Sequence, residues 1–103
     1  MPEPDISPKT LLSFKGLLWE YPEIEELVLF GSRATGQKRQ GSDIDIYLRT
    51  KGNRYEIKHE FWVASGVVPI DIVGPDDLEE NEMLEEEIKR DGIDLIEYFG
   101  LKK

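Results

Sequence analysis

The chain has 103 residues, no cysteine and a formal net charge of −9. That length corresponds to a single domain, residues 1–103, with one core, and the missing thiols exclude a disulfide framework and a thiolate metal site and fit a cytoplasmic setting. The acidic balance works against generic nucleic-acid binding, the apolar runs are far shorter than the ~20 residues of a membrane helix, and the acidic, proline-bearing stretch Met1 to Pro8 is the opposite of a signal peptide.

Ser7 followed by Pro8 reads as an N-cap and first helical position. Leu11, Leu12, Phe14, Leu17, Leu18 and Trp19 follow at helical spacing, so an amphipathic helix is predicted from Pro8 to Glu20. Tyr21 and Pro22 end it. Glu26 to Phe30 is a short apolar run stopped by Gly31, as in a buried strand. Gly31 to Ser42 is polar, with turns at Gly36 and Gly41 and room for a helical turn from Ser32. Asp43 to Leu48 alternates polar and apolar up to Ile46, the pattern of a strand.

Arg54 to Ala64 reads as a second helix with Ile57, Phe61 and Trp62 inward. Val67 to Val73 reads as a third strand, whose Pro69 places it at an edge or beside a bulge. A long helix is predicted from Pro75, with Leu78, Met83, Leu84 and Ile88 inward, stopped by Gly92. Ile93 to Tyr98 reads as a final extended segment. The order predicts an α+β fold of layered α/β type: a small mixed sheet covered by helices. The acidic run Asp76 to Glu87 reads first as a solvated helix face, and otherwise as a surface for a basic protein partner.

Three carboxylates interrupt otherwise apolar strands: Asp43, Asp45 and Asp71. Residues two apart in a strand share a face, so Asp43 and Asp45 point together and repel. A cation between them removes that cost. Asp71, between Ile70 and Ile72, completes the cluster if its strand is adjacent. Such hard oxygen ligands suit Mg²⁺ or Mn²⁺, and two such ions can activate an attacking oxygen and steady a leaving phosphate. A D-x-D pair alone is more often a pair of solvated carboxylates on an exposed face. What strengthens the chemical reading is the preceding strand end, Gly31-Ser32-Arg33. A glycine there lets phosphate approach the backbone, the following N–H groups make an anion nest, and Ser32 offers a hydroxyl.

Gly31-Ser32, ten intervening residues, then Asp43-Ile44-Asp45 resembles the G-S-x10-D-x-D signature of the DNA polymerase β-like nucleotidyltransferase superfamily. The stretch FGSRATGQKRQGSDIDIYL is similar to the minimal nucleotidyltransferases, the MNT or MntA-type antitoxins. The resemblance implies a nucleotidyltransferase fold and a metal-dependent transfer of a nucleoside monophosphate, AMP from ATP, to a protein acceptor. It implies that Gly31 and Ser32 hold the NTP phosphates, with Arg33 in a phosphate or structural contact. Asp43 and Asp45 would bind two Mg²⁺ ions, and Asp71 would help bind the second and activate the acceptor hydroxyl. It also implies a HEPN-domain partner, the toxin of a toxin–antitoxin pair. The alternative is a non-catalytic nucleotide-binding or antitoxin module that neutralises such a partner by contact.

Other residues carry less. His59 reads as a solvated helix histidine, since one histidine makes neither a metal pair nor a triad. Lys38 and Arg39, in the loop before the acidic strand, are candidates for phosphate contact. Trp19, Phe61 and Trp62 read as core rather than base-stacking residues.

Overall fold

In the computed structural model, residues 3–36 and 42–101 are described. Lys38, Arg39 and the turn at Gly41 lie outside them. In chain order the elements are α1 (Pro8–Glu20), β1 (Ile24–Phe30), α2 (Ser32–Thr35), β2 (Ile44–Thr50), α3 (Arg54–Ser65), β3 (Ile70–Val73), α4 (Pro75–Glu79), α5 (Glu82–Asp91), β4 (Ile93–Asp94) and α6 (Leu95–Tyr98). The sheet order is β3-β2-β1-β4. β1 runs antiparallel to β2 and β4, while β2 and β3 are parallel. The fold is therefore a small mixed sheet with helices, of the α+β class.

Each face of the sheet has its own apolar layer. Leu27, Leu29, Ile44, Ile46 and Leu48 pack with Phe14 of α1 and with Ile57 and Phe61 of α3. The Phe14 and Phe61 rings meet edge to face, their centroids 5.0 Å apart. The opposite face carries a smaller cluster of Phe30, Tyr47 and Ile88, with Val28, Val73, Leu78 and Leu84 against it. Ile24 falls out of step with Leu27 and Leu29, and the bulge between Ile24 and Glu26 brings it back to the larger core.

Caps set most helix starts. The Ser7 side chain accepts from Thr10 N–H at 3.3 Å, and Asn53 accepts from Tyr55 and Glu56 at 3.1 and 3.2 Å. The expected long helix from Pro75 is in fact two. The first ends at Glu79 with Glu80 as its C-cap, and Asn81 caps the second, its Oδ1 accepting from Leu84 N–H at 3.1 Å. An Asn side chain offers this bond more readily than it sits inside a helix. The final segment also differs. Only Ile93 and Asp94 pair with β1, and Asp94 then caps α6 by accepting from Glu97 N–H at 3.1 Å. The third strand is shorter than expected: Pro69 precedes β3, which is an edge strand.

Several apolar side chains predicted to face inward are exposed: Leu12, Trp19, Trp62 and Met83. On α3 the buried positions are Ile57, Phe61 and Ser65, spaced by four, and Trp62 is one residue, about 100°, around the helix from Phe61. Trp62 stacks on His59, which is exposed as expected. Among the described residues no helix is long and apolar enough to cross a membrane.

Candidate active site

β1 ends at Phe30, paired in register with Asp45 of β2, and Asp45 is paired in turn with Asp71 of β3. Paired residues on neighbouring strands share a face. The face is the one that carries Phe30, Tyr47 and Val73, beneath α5. Asp45 and Asp71 therefore lie side by side, with Asp43 two residues back, just ahead of the first residue of β2. Asp43 and Asp71 are exposed, and Asp45 is half-buried.

Gly31 joins β1 to α2 with φ 76° and ψ −159°, a backbone region that favours glycine. A Cβ there would collide with the Asp45 carboxylate. The glycine thus brings bare backbone against the central carboxylate, with the Ser32 hydroxyl beside it. Gly36, at φ 81°, closes α2 in the left-handed conformation, its N–H bonding the Ser32 carbonyl at 3.1 Å.

Arg33 is buried, with 7% exposure. Its Nε and Nη2 donate to the Ser42 carbonyl at 3.1 and 2.8 Å, and its Nη1 donates to the Asp5 carbonyl at 2.8 Å. The Asp5 N–H returns a bond to the Arg33 carbonyl at 2.9 Å. Arg33 therefore clamps the N-terminal segment and the entry to β2 onto α2. Ile44 N–H bonds the Pro69 carbonyl at 2.9 Å, which fixes the same entry to the start of β3.

The electrostatics follow from this packing. Burial, then the charges of Asp71, Asp43 and Glu87, push the Asp45 carboxyl up from 3.8 to about 6, while Arg33 works the other way. Glu87 is a fourth carboxylate, one that sequence reasoning assigned to a solvated face. Its signal was present in the spacing: Leu84, Glu87, Ile88 and Asp91 form one stripe of α5. Glu87, Arg90 and Asp91 form one wall of an open cleft of about 620 Å³ that Gly31, Ser32 and Ser42 also line.

Among the described residues, no group of three or more His, Cys, Asp or Glu converges to hold a metal ion by itself. The aspartates are neighbours without forming a closed cage. That suits Mg²⁺, which characteristically takes one or two carboxylates and completes its shell with water and substrate phosphate. A cation would also offset the carboxylate repulsion that, after burial, raises the Asp45 carboxyl. The donor set and the bare backbone at Gly31 fit a divalent ion bound together with a phosphate.

The sequence profile of the family described as polymerase beta, nucleotidyltransferase matches residues 13–98. Among solved structures, a toxin–antitoxin complex with AMP-PNP is 24% identical, with a TM-score of 0.61 over 82% of this chain and 71% of that one. A mutant MntA toxin–antitoxin complex is 21% identical, with a TM-score of 0.63 over 82% and 71%. A tri-AMPylated HEPN toxin of Shewanella oneidensis in complex with MNT antitoxin is 21% identical, with a TM-score of 0.56 over 84% and 68%. No curated protein matches the sequence.

Proposed function

The chain belongs to the polymerase β nucleotidyltransferase family, and from that premise we propose that it transfers AMP from ATP, with Mg²⁺, to a hydroxyl side chain of a HEPN-type protein partner, as the antitoxin of a toxin–antitoxin pair. The observation that carries the reading is the pairing of Asp45 with Asp71 on one face, against the bare backbone of Gly31. A protein acceptor is supported by one of the solved complexes above, which pairs an MNT antitoxin with an AMPylated HEPN toxin.

In this reading Asp43, Asp45 and Asp71 hold the metal. When bound, Mg²⁺ supplies positive charge to the phosphates and lowers the proton affinity of the attacking oxygen. Gly31 gives the phosphates room, and Ser32 donates its hydroxyl hydrogen to a phosphate oxygen. Arg33 keeps Ser42, and with it Asp43, in place. Asp71, the more exposed partner of Asp45, stands toward the acceptor and takes the proton from its hydroxyl. The acceptor oxygen bonds to the α-phosphorus, the bond from that phosphorus to the bridging oxygen breaks, and pyrophosphate leaves with the electron pair.

The test uses the chain co-expressed with the product of the neighbouring gene. ATP labelled at the α-phosphate should deliver label to the partner only with Mg²⁺, and not with Asp45→Asn. A stable complex whose partner never takes label, with activity of the partner blocked all the same, would replace this reading with neutralisation by contact.

A further inference from the structure

A polyphosphate entering this cleft meets mostly negative charge. Glu87 and Asp91 face it from α5, and Asp45, which lies against Gly31 of the cleft, feels the charges of Glu87, Asp43 and Asp71. Arg33, whose charge acts on Asp45, has turned its guanidinium to the backbone carbonyls of Ser42 and Asp5. Lys89 points elsewhere, paired with Glu85 at 3.0 Å beside a different hollow. Among the described residues that line the cleft, Arg90 is the only cation.

Arg90 is held in a weak way. Its Nε and Nη2 both donate to one oxygen, Oδ2 of the adjacent Asp91, at 3.2 and 3.0 Å. The arginine side chain is 70% exposed and the aspartate 28%. An exposed pair of this kind contributes little, so exchanging the carboxylate for a phosphate loses little. The fork of a guanidinium matches a phosphate with two parallel bonds, and the match is stronger when the acceptor carries more charge.

We infer that Arg90 is a polyphosphate-binding cation of the cleft, released from Asp91 when a nucleoside triphosphate enters. The inference rests on the nucleotide-transfer reading and adds to it a residue outside the G-S and D-x-D motifs. Arg90 takes the β- and γ-phosphates, which depart as pyrophosphate, in the cleft that it shares with Gly31 and Ser32. Asp91 is then a competitor that holds Arg90 in the empty cleft.

The test is calorimetric titration of the chain, with any co-purified partner retained, with ATP and with AMP in Mg²⁺. Arg90→Ala should weaken ATP binding about tenfold to a hundredfold, the range for hydrogen bonds to a charged group, and leave AMP binding and the melting temperature unchanged. Arg90→Lys should recover part of the loss by returning the charge without the fork. Asp91→Asn should tighten ATP binding. Equal ATP affinity in wild type and Arg90→Ala, or equal losses for ATP and AMP, overturns the assignment of Arg90 alone. A wild-type chain that binds no ATP in Mg²⁺ overturns the nucleotide-transfer reading together with this one.

Discussion

At Asp45, burial and three neighbouring carboxylates act in the same direction, and Arg33 opposes them only in part. The folded state therefore favours the protonated acid. The stabilisation from this group is complete below the ordinary carboxyl value of 3.8, and it is lost as pH rises through about 6. Because the side chain is only half-buried, screening reduces the effect to on the order of 1 kcal/mol. Metal-free protein should accordingly lose about 4–8 °C of melting temperature from this group between pH 4 and pH 7. Asp45→Asn should remove that slope and melt higher than wild type at pH 7, which a calorimetric pH series would read. An unchanged slope would mean that Asp45 ionises freely. The neighbouring glycine makes a different kind of prediction. In Gly31→Val a side chain must occupy a positive-φ position and the space of the Asp45 carboxylate, so NTP binding should disappear and stability should fall. Ser32→Ala removes one hydrogen bond to a charged phosphate, about 1.5–3 kcal/mol, so turnover should drop roughly tenfold to a hundredfold with the fold intact. If the two variants behave alike in both binding and melting, the cradle is assigned wrongly.

Among the elements, α3 separates two adjacent aromatic residues. Phe61 is fully buried against Phe14, whereas Trp62 is 61% exposed and meets His59. Phe61→Ala should cost about 3–5 kcal/mol, and Trp62→Ala should stay within roughly 0.5 kcal/mol of wild type. Urea titrations of both variants would show the contrast, and comparable losses would place Trp62 in the core after all. The pair also shows where the sequence is readable. Helical periodicity locates an apolar stripe, but it does not decide between neighbours at the stripe's border, so Trp19 and Trp62 were expected inside. Caps were the other blind spot. Neither Asn53 nor Asn81 was expected as a cap, although each side chain accepts from a helix start. The strands that carry Gly31, Asp45 and Asp71 were legible, because alternation and a terminal glycine are local signals. That Asp71 would share a face with Asp45 depended on strand order and register, which alternation alone leaves open. Glu87 and Arg90 reach the cleft from a helix far along the chain, and only tertiary packing brings them there.

Across the whole molecule, the sheet divides the labour. The α1–α3 side holds the larger core, and the α5 side holds the smaller one together with the aspartates and the cleft. The thin side is the one a ligand can brace. A Mg²⁺–ATP complex seated between the end of β1, the start of β2 and the C-terminal part of α5 would join elements now held by only a few apolar side chains. It would also discharge the repulsion centred on Asp45. A ligand that binds only the folded state stabilises it by about 2.7 kcal/mol at a hundredfold excess over Kd. For a domain of this size that is on the order of 10 °C or more in melting temperature. The rise should require both components: ATP alone adds negative charge to an acidic cleft, and Mg²⁺ alone finds no closed cage among the described residues. Chelation with EDTA should return the melting temperature to that of the metal-free protein, and Asp45→Asn should show little of the rise. Thermal melts with Mg²⁺, with ATP, with both and after EDTA separate these cases. A full shift with ATP in the presence of EDTA would mean that the nucleotide binds without the aspartates, and the metal site would then have no part in binding.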